Sequence, residues 1–219
     1  MTEPLSEEPG GVAVVRRQYD SGMSVPIRKP VTIDEALARD EDEYVELIDG
    51  ELIEKASPTI DHSSAQGGTL FVLKQSFGRG AGGRLPGGWW LHVELDIQLG
   101  ADLFRPDLCG YRRDRVAAFP PGRPVRLTPD WICEILSPSH MAHDRVKKLQ
   151  RYLAAGVQHY WLIDPLAGTL EVLRRTESGY LLALGAQRGQ RVRAEPFDAI
   201  EVRVDELLGA DPEDAPAPP

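Results

Sequence analysis

Along residues 89–99 apolar side chains fall at every second position: Trp89, Leu91, Val93, Leu95, Ile97 and Leu99, with Trp90, His92, Glu94, Asp96 and Gln98 between them. That period of two predicts one continuous strand with a single face in a core. Another strand is expected over 106–112. Residues 130–137, Asp-Trp-Ile-Cys-Glu-Ile-Leu-Ser, are apolar on both faces apart from Glu134, which places their strand in the interior of a sheet. A strand at 158–164 follows, and residues 169–195 read as further strands broken at Ser178-Gly179 and near Gly189.

The helical signals are equally local. Thr32-Ile33-Asp34-Glu35 has the spacing of a capping box and predicts a short helix over 32–40. In YVELIDGELIEKA, two short apolar runs flank Asp49-Gly50, a hairpin signal because the turn needs positive φ. Residues 62–77 carry Leu70, Leu73 and Phe77 at helical spacing and lead into the glycine-rich GRGAGGRLPGG. Over 141–155, Val146, Leu149 and Leu153 form the stripe expected to be buried, and Gly156 is the stop. Helix, hairpin, helix, strands, helix, strand and hairpin in that order predict an α/β (α+β) chain, a mixed sheet with helices against it.

Composition narrows the function classes. The 219 residues include 25 basic and 34 acidic side chains, a net charge of −9. No run approaches the roughly 18–20 apolar residues of a membrane span. The start MTEPLSEEPGG is acidic and has no apolar stretch of the kind a secretory signal needs, so a cytoplasmic protein is expected. Cys109 and Cys133 are too few for a disulfide framework or a four-cysteine zinc site. Glu3, Glu7, Glu8 and Asp20 against Arg16 and Arg17 put residues 1–22 at −2. Asp205, Glu206, Asp211, Glu213 and Asp214 put 205–219 at −5, which leaves −2 for the body between. That body has no overall basic footprint for nucleic acid. Residues 1–22 show no apolar period, and GADPEDAPAPP (209–219) combines four prolines with three acids. Both ends are expected to be disordered around a domain over 23–208, with Met23 an alternative start.

A charge in an otherwise apolar strand needs a partner, so Glu134 is the first candidate for chemistry. Asp107, in Arg105-Pro106-Asp107, is a second carboxylate at a strand start. Two carboxylates from neighbouring strand ends suit Mg²⁺ or Mn²⁺, and a nearby lysine would complete a phosphodiester-hydrolysing site. Lys148 is that candidate: Asp144, Lys148 and Tyr152, at i, i+4 and i+8, follow one side of the helix, away from its apolar stripe. The alternative is plain. A Pro-Asp pair often starts a turn, a buried glutamate can pair with an arginine, and an Asp–Lys pair at i, i+4 is common on helix surfaces.

Taken together, RPDL (105–108), EILSPS (134–139), Asp144-x-x-x-Lys148-x-x-x-Tyr152 and GVQHYWLIDP (156–165) resemble the Uma-two family of candidate restriction endonucleases, in the PD-(D/E)XK nuclease superfamily. YVELIDGELIE (44–54) and His62 match its N-terminal motif, so the likeness spans about 28–205. The resemblance implies a restriction-endonuclease-like core with a central mixed sheet flanked by helices and an N-terminal β-hairpin. It implies that Asp107 and Glu134 are metal ligands. The superfamily lysine would stand two positions after the glutamate, where this chain has Leu136; Lys148 from the following helix is the replacement. Glu46 matches the N-terminal acidic residue and would complete the metal shell, with Glu51 as the fallback.

Other residues carry less. His62 is a possible cleft residue or simply part of a helix start, and His140 and His143 flank the later helix. GRGAGGRLPGG lacks the Gly-Lys-Ser/Thr ending of a phosphate loop, although Arg79 and Arg84 on it could touch a DNA backbone. Cys133 reads as a small core residue, and Tyr160 and Trp161 as core or interface. The expected function is a Mg²⁺- or Mn²⁺-dependent endonuclease acting on DNA, a homodimer by analogy with enzymes that cut two strands. Its rivals are a non-catalytic interaction module on the same fold and a nuclease acting on RNA.

Overall fold

The computed structural model describes residues 14–17, 25–28, 30–39, 43–55, 57–138 and 143–210. Val14–Arg17 (β1) pairs antiparallel with Val25–Arg28 (β2). Four residues of the stretch expected to be disordered are thus in a strand. The rest of 1–22, Met23, His140 and residues 211–219 lie outside the described residues. Ile33–Leu37 (α1) opens with the expected capping box: Thr32 Oγ1 accepts from Glu35 N at 3.2 Å, and Glu35 Oε2 accepts from Thr32 N at 2.7 Å. Val45–Ile48 (β3) and Glu51–Glu54 (β4) form the hairpin. Asp49 and Gly50 both take positive φ, 56° and 76°, the turn whose twist matches that of the strands.

Ile60–Phe77 (α2) is capped by Thr59, which accepts from His62 N at 3.2 Å. Trp89–Val93 (β5), Ile97–Leu99 (β6), Asp102–Phe104 (β7), Leu108–Arg112 (β8) and Trp131–Ile135 (β9) follow. A π-helical turn, His143–Lys148, runs into Leu149–Ala155 (α3), which ends at Gly156 in the left-handed conformation. The chain then forms His159–Asp164 (β10), Thr169–Thr176 (β11), Gly179–Gln187 (β12), Arg191–Val192 (β13), Val202–Arg203 (β14) and Val204–Leu207 (α4). No helix among the described residues is long and apolar enough to cross a membrane.

The central sheet has the order β12-β11-β10-β9-β8-β5. β9 and β10 run parallel, joined by the crossover through α3, and the other neighbours are antiparallel. This is the expected mixed sheet, with β9 in its interior. A smaller sheet, β4-β3-β7-β6, carries the hairpin.

Side chains alternate between two cores. Trp131, Cys133, Ile135, Trp161 and Ile163 face α2 and α4, and the Phe197 ring lies 4.8–5.6 Å from those of Phe77, Trp89, Trp131 and Trp161. Cys109, Ile132, Tyr160 and Leu162 face α3 and the smaller sheet. Gly110 admits Trp131: a Cβ there would stand 3.1 Å from Trp131 Cε3 and Leu91 Cδ2.

Two expectations are corrected. Residues 89–99 are not one strand: β5 pairs with β8 in the central sheet, whereas β6 pairs with β7 in the smaller one. The break lies at Glu94, whose φ is +50°. The alternation is real, but Trp89 and Leu91 enter one core and Ile97 and Leu99 the other, and Val93 is 41% exposed. Nor is Val146 buried. It is 54% exposed, while Asp144, Lys148 and Tyr152 turn inward. Lys148 occupies the buried face because Glu46 and Glu134 on the strands face it, and Asp144 pairs with the same lysine. The π turn assists: its i→i+5 pattern reverses the sense in which i, i+4 positions drift, so the three stay nearly in line.

Candidate active site

β8 and β9 are adjacent, with Leu108 opposite Cys133, so Asp107 just before β8 comes beside Glu134 and Ile135. Asp107 is 2% exposed and Glu134 1%. Asp107 Oδ2 accepts from Ile135 N at 2.7 Å. Its Oδ1 accepts from Lys55 Nζ at 2.7 Å, and His62 Nε2 stands 3.4 Å from the same oxygen. Glu134 Oε1 accepts from Tyr152 Oη at 2.7 Å and from Lys148 Nζ at 3.1 Å.

Lys148 is the hub of the inner half. Its Nζ lies 2.9 Å from Glu46 Oε2, 3.1 Å from Glu134 Oε1 and 3.2 Å from Asp144 Oδ1. Glu46, on β3, is anchored through Oε1, which accepts from Arg105 N at 2.9 Å. Glu51, the fallback acidic residue, is exposed on β4. The structure thus brings Glu46, His62, Asp107, Glu134, Asp144 and Lys148 around one small cavity of about 40 Å³, lined also by Lys55 and Ser137, with Tyr152 behind it on Glu134. That is room for roughly three water-sized occupants. Arg79 and Arg84 are exposed on their loop.

Sequence reasoning missed Lys55, Gln66 and Glu94. Lys55 Nζ also donates to Arg105 O at 2.8 Å. Gln66, on α2, donates from Nε2 to Asp107 O and to Glu94 Oε1, each at 3.0 Å. The hairpin register held the signal for Lys55: once Asp49-Gly50 is the turn, Glu46 pairs with Ile53, and Lys55 falls on the same face two positions on.

The electrostatics are unbalanced. Glu46, Asp107, Glu134 and Asp144 are buried carboxylates, and Lys148 and Lys55 are the ammonium groups among them. Four carboxyl groups meet two ammonium groups, in surroundings where an unpaired ion costs several kcal/mol. The pKa values follow. Burial, reinforced by Asp107, Asp144 and Glu46 and opposed by Lys148, pushes Glu134 up to about 8. Burial also raises Asp144. Burial alone would raise Asp107 too, but Lys55 and then His62 outweigh it and hold that carboxyl below the usual range. Burial would depress Lys148, yet the surrounding carboxylates hold it well above its ordinary value.

The excess of carboxyl over ammonium groups and the hard oxygen donors of Asp107, Glu134 and Glu46 fit a divalent cation of the Mg²⁺ or Mn²⁺ class, whose charge would draw the proton off Glu134. Among the described residues no three His, Cys, Asp or Glu side chains form a preformed cage; Lys55 and Lys148 stand between the carboxylates. A second cleft of about 670 Å³ opens next to the site, lined by Arg39, Tyr44, Glu54 and Glu94 among others.

A family model described as "Putative restriction endonuclease" (Uma2) matches residues 33–205. Five chains among solved structures match. One is described as "a putative nuclease belonging to DUF820 from Anabaena variabilis ATCC 29413"; it is 25% identical, with a TM-score of 0.65 over 82% of this chain and 98% of that one. No curated protein sequence matches.

Proposed function

Because the chain belongs to the Uma2 family of putative restriction endonucleases, we propose that it is a metal-dependent nuclease hydrolysing phosphodiester bonds of DNA. The observation that carries this reading is the pair Asp107 and Glu134 on adjacent strands, in a cavity whose buried carboxylates outnumber its lysines four to two. Asp107 and Glu134, with Glu46 beside them, would hold a divalent cation, whose chemistry there is to polarise a phosphoryl oxygen and acidify a bound water.

The chain's own residues do the rest. Tyr152 and Lys148 fix Glu134 from the inner side, and the Lys148 ammonium offsets negative charge growing on the phosphoryl group. His62, at the outer edge with its side chain 13% exposed, would hydrogen-bond a phosphoryl oxygen. A homodimer would bring two such sites to the two strands of a duplex.

A non-catalytic binding module is favoured by one observation: the chain's net charge is −9, and Glu43, Glu54 and Glu94 line the adjoining cleft against Arg39 and Lys55. Incubation of supercoiled DNA, single-stranded DNA and RNA with the protein in Mg²⁺, Mn²⁺ or chelator separates the readings. Metal-dependent cutting of DNA that disappears in Asp107→Ala and Glu134→Ala is the expected result. Cutting of RNA alone would change the substrate. Cutting that survives both substitutions, or no cutting of any substrate, would overturn the proposal.

A further inference from the structure

Glu94 stands where the expected long strand breaks, with φ +50°, a conformation that costs a residue with a Cβ about 1–2 kcal/mol. Its carboxylate is secured on one side only. Oε1 accepts from Gln66 Nε2 at 3.0 Å, and the same nitrogen donates to Asp107 O at 3.0 Å. Oε2 is buried and has no hydrogen-bond partner. That oxygen lies 3.6 Å from Lys55 Nζ, whose donors go to Asp107 Oδ1 at 2.7 Å and Arg105 O at 2.8 Å. A buried acceptor left unmet costs about 1–3 kcal/mol, and strain combined with an unmet group at one residue points to function.

Lys55 occupies the oxygen of Asp107 that a cation would need. An ammonium displaced from Asp107 without another counter-charge would stand close to a divalent cation in a poorly solvated cavity. Glu94 Oε2 offers that counter-charge within reach of the same side chain, with no backbone movement.

We propose that Glu94 is the second seat of Lys55: the lysine neutralises Asp107 in the cation-free protein and passes to Glu94 Oε2 when a divalent cation takes the Asp107 oxygen. The inference rests on the reading of Asp107 as a cation ligand. Glu94 is then a positioning residue, which acts on the cation through Lys55. Gln66 holds Glu94 and Asp107 in one frame, so the two seats keep a fixed spacing. Lys55 is an internal competitor for the site, and Glu94 lowers the cost of its departure.

The test is calorimetric titration of Mn²⁺ into the full chain and into Glu94→Gln, Lys55→Met, the double variant and Asp107→Ala, with melting of each cation-free protein as a folding control. Glu94→Gln should weaken Mn²⁺ binding about tenfold, some 1.4 kcal/mol. Lys55→Met should tighten binding, and in its background Glu94→Gln should change affinity less than twofold. Glu94→Gly, which suits the positive φ, replaces Glu94→Gln if that variant melts early and should show the same coupling. An equal loss in both backgrounds would make Glu94 a ligand or a general source of charge, and no loss in either would make it structural; each overturns the two-seat arrangement alone. Equal behaviour of the wild type and Asp107→Ala would overturn the cation site, and the two seats with it.

Discussion

The carboxylate of Asp107 accepts a hydrogen bond from the backbone N–H of Ile135 at 2.7 Å, tying the residue before β8 to the immediate neighbour of Glu134 in β9. The spacing of the two carboxylates is thereby fixed through a main-chain group and does not depend on a flexible contact. Asp107→Asn can keep an acceptor toward Ile135, but it turns an amide toward Lys55. The variant should stay folded, lose about 1–3 kcal/mol of stability, and, on the proposed metal mechanism, lose roughly 10³-fold in cleavage rate with the several kcal/mol a bound metal would supply. Circular dichroism melting and single-turnover cleavage check both halves.

Glu134→Gln should stabilise the cation-free protein while abolishing cleavage. Burial pushes Glu134 up to about 8 from an ordinary 4.5. Between those values the folded chain holds a proton that the unfolded chain has released, so this group's contribution to stability falls as pH rises through the window. Gln carries no such penalty. The melting temperature of the variant should exceed that of the wild type at pH 8, by roughly 2–4 °C per kcal/mol relieved, and the gap should close toward pH 5. His92 and His159, lowered by burial, pull the other way in both proteins, so the difference between the two curves is the quantity to read. A constant gap would contradict the assignment.

Tyr152→Phe removes one of the two donors on Glu134 Oε1 and leaves Lys148 alone there. A hydrogen bond to a carboxylate contributes about 1.5–3 kcal/mol, and the phenyl ring keeps its packing against Phe104 at 5.0 Å and Tyr160 at 5.2 Å. Stability should fall by that amount, and kcat should fall more than KM changes, because the tyrosine touches the proposed ligand Glu134 and lies away from the adjoining cleft.

Val146→Ser should be nearly neutral, within about 0.5 kcal/mol, since the side chain is 54% exposed. Lys148→Met, two positions on, should cost about 3–5 kcal/mol because three buried carboxylates lose their shared counter-ion. The opposite ranking in denaturant melts would mean that the helix presents its apolar stripe inward after all.

Divalent cation should stabilise the fold itself. At one hundred times its dissociation constant, Mg²⁺ or Mn²⁺ adds about 2.7 kcal/mol, and a chelator should reverse the gain. In Asp107→Asn the addition should leave the melting temperature unchanged.

Much of this architecture is legible in the sequence, for local reasons. The capping box at Thr32, the Asp49-Gly50 hairpin and the interior strand around Glu134 depend on neighbours a few residues away, and the structure contains all three. The failures are non-local. A period of two cannot reveal that residues 89–99 serve two sheets, because Glu94 interrupts the strand without interrupting the alternation. Val146 looked buried because helix faces are read on the assumption that charges point to water. That rule fails where Glu46 and Glu134, distant in sequence, wait opposite Lys148. Lys55 escaped notice because a lysine after a hairpin is unremarkable until the register is followed across the turn.

Glu46 in the hairpin, Asp107 before β8, Glu134 in the interior strand and Lys148 within the crossover meet only when the smaller sheet has closed against the central one. Closing so long a stretch of chain is slow and costs entropy before any contact repays it. A partly synthesised or partly unfolded chain therefore has the acids without their lysine, and a hairpin without a strand to face. On the proposed reading, catalytic competence is a property of the finished molecule: a polypeptide still emerging from the ribosome, surrounded by nucleic acid, would carry no assembled blade.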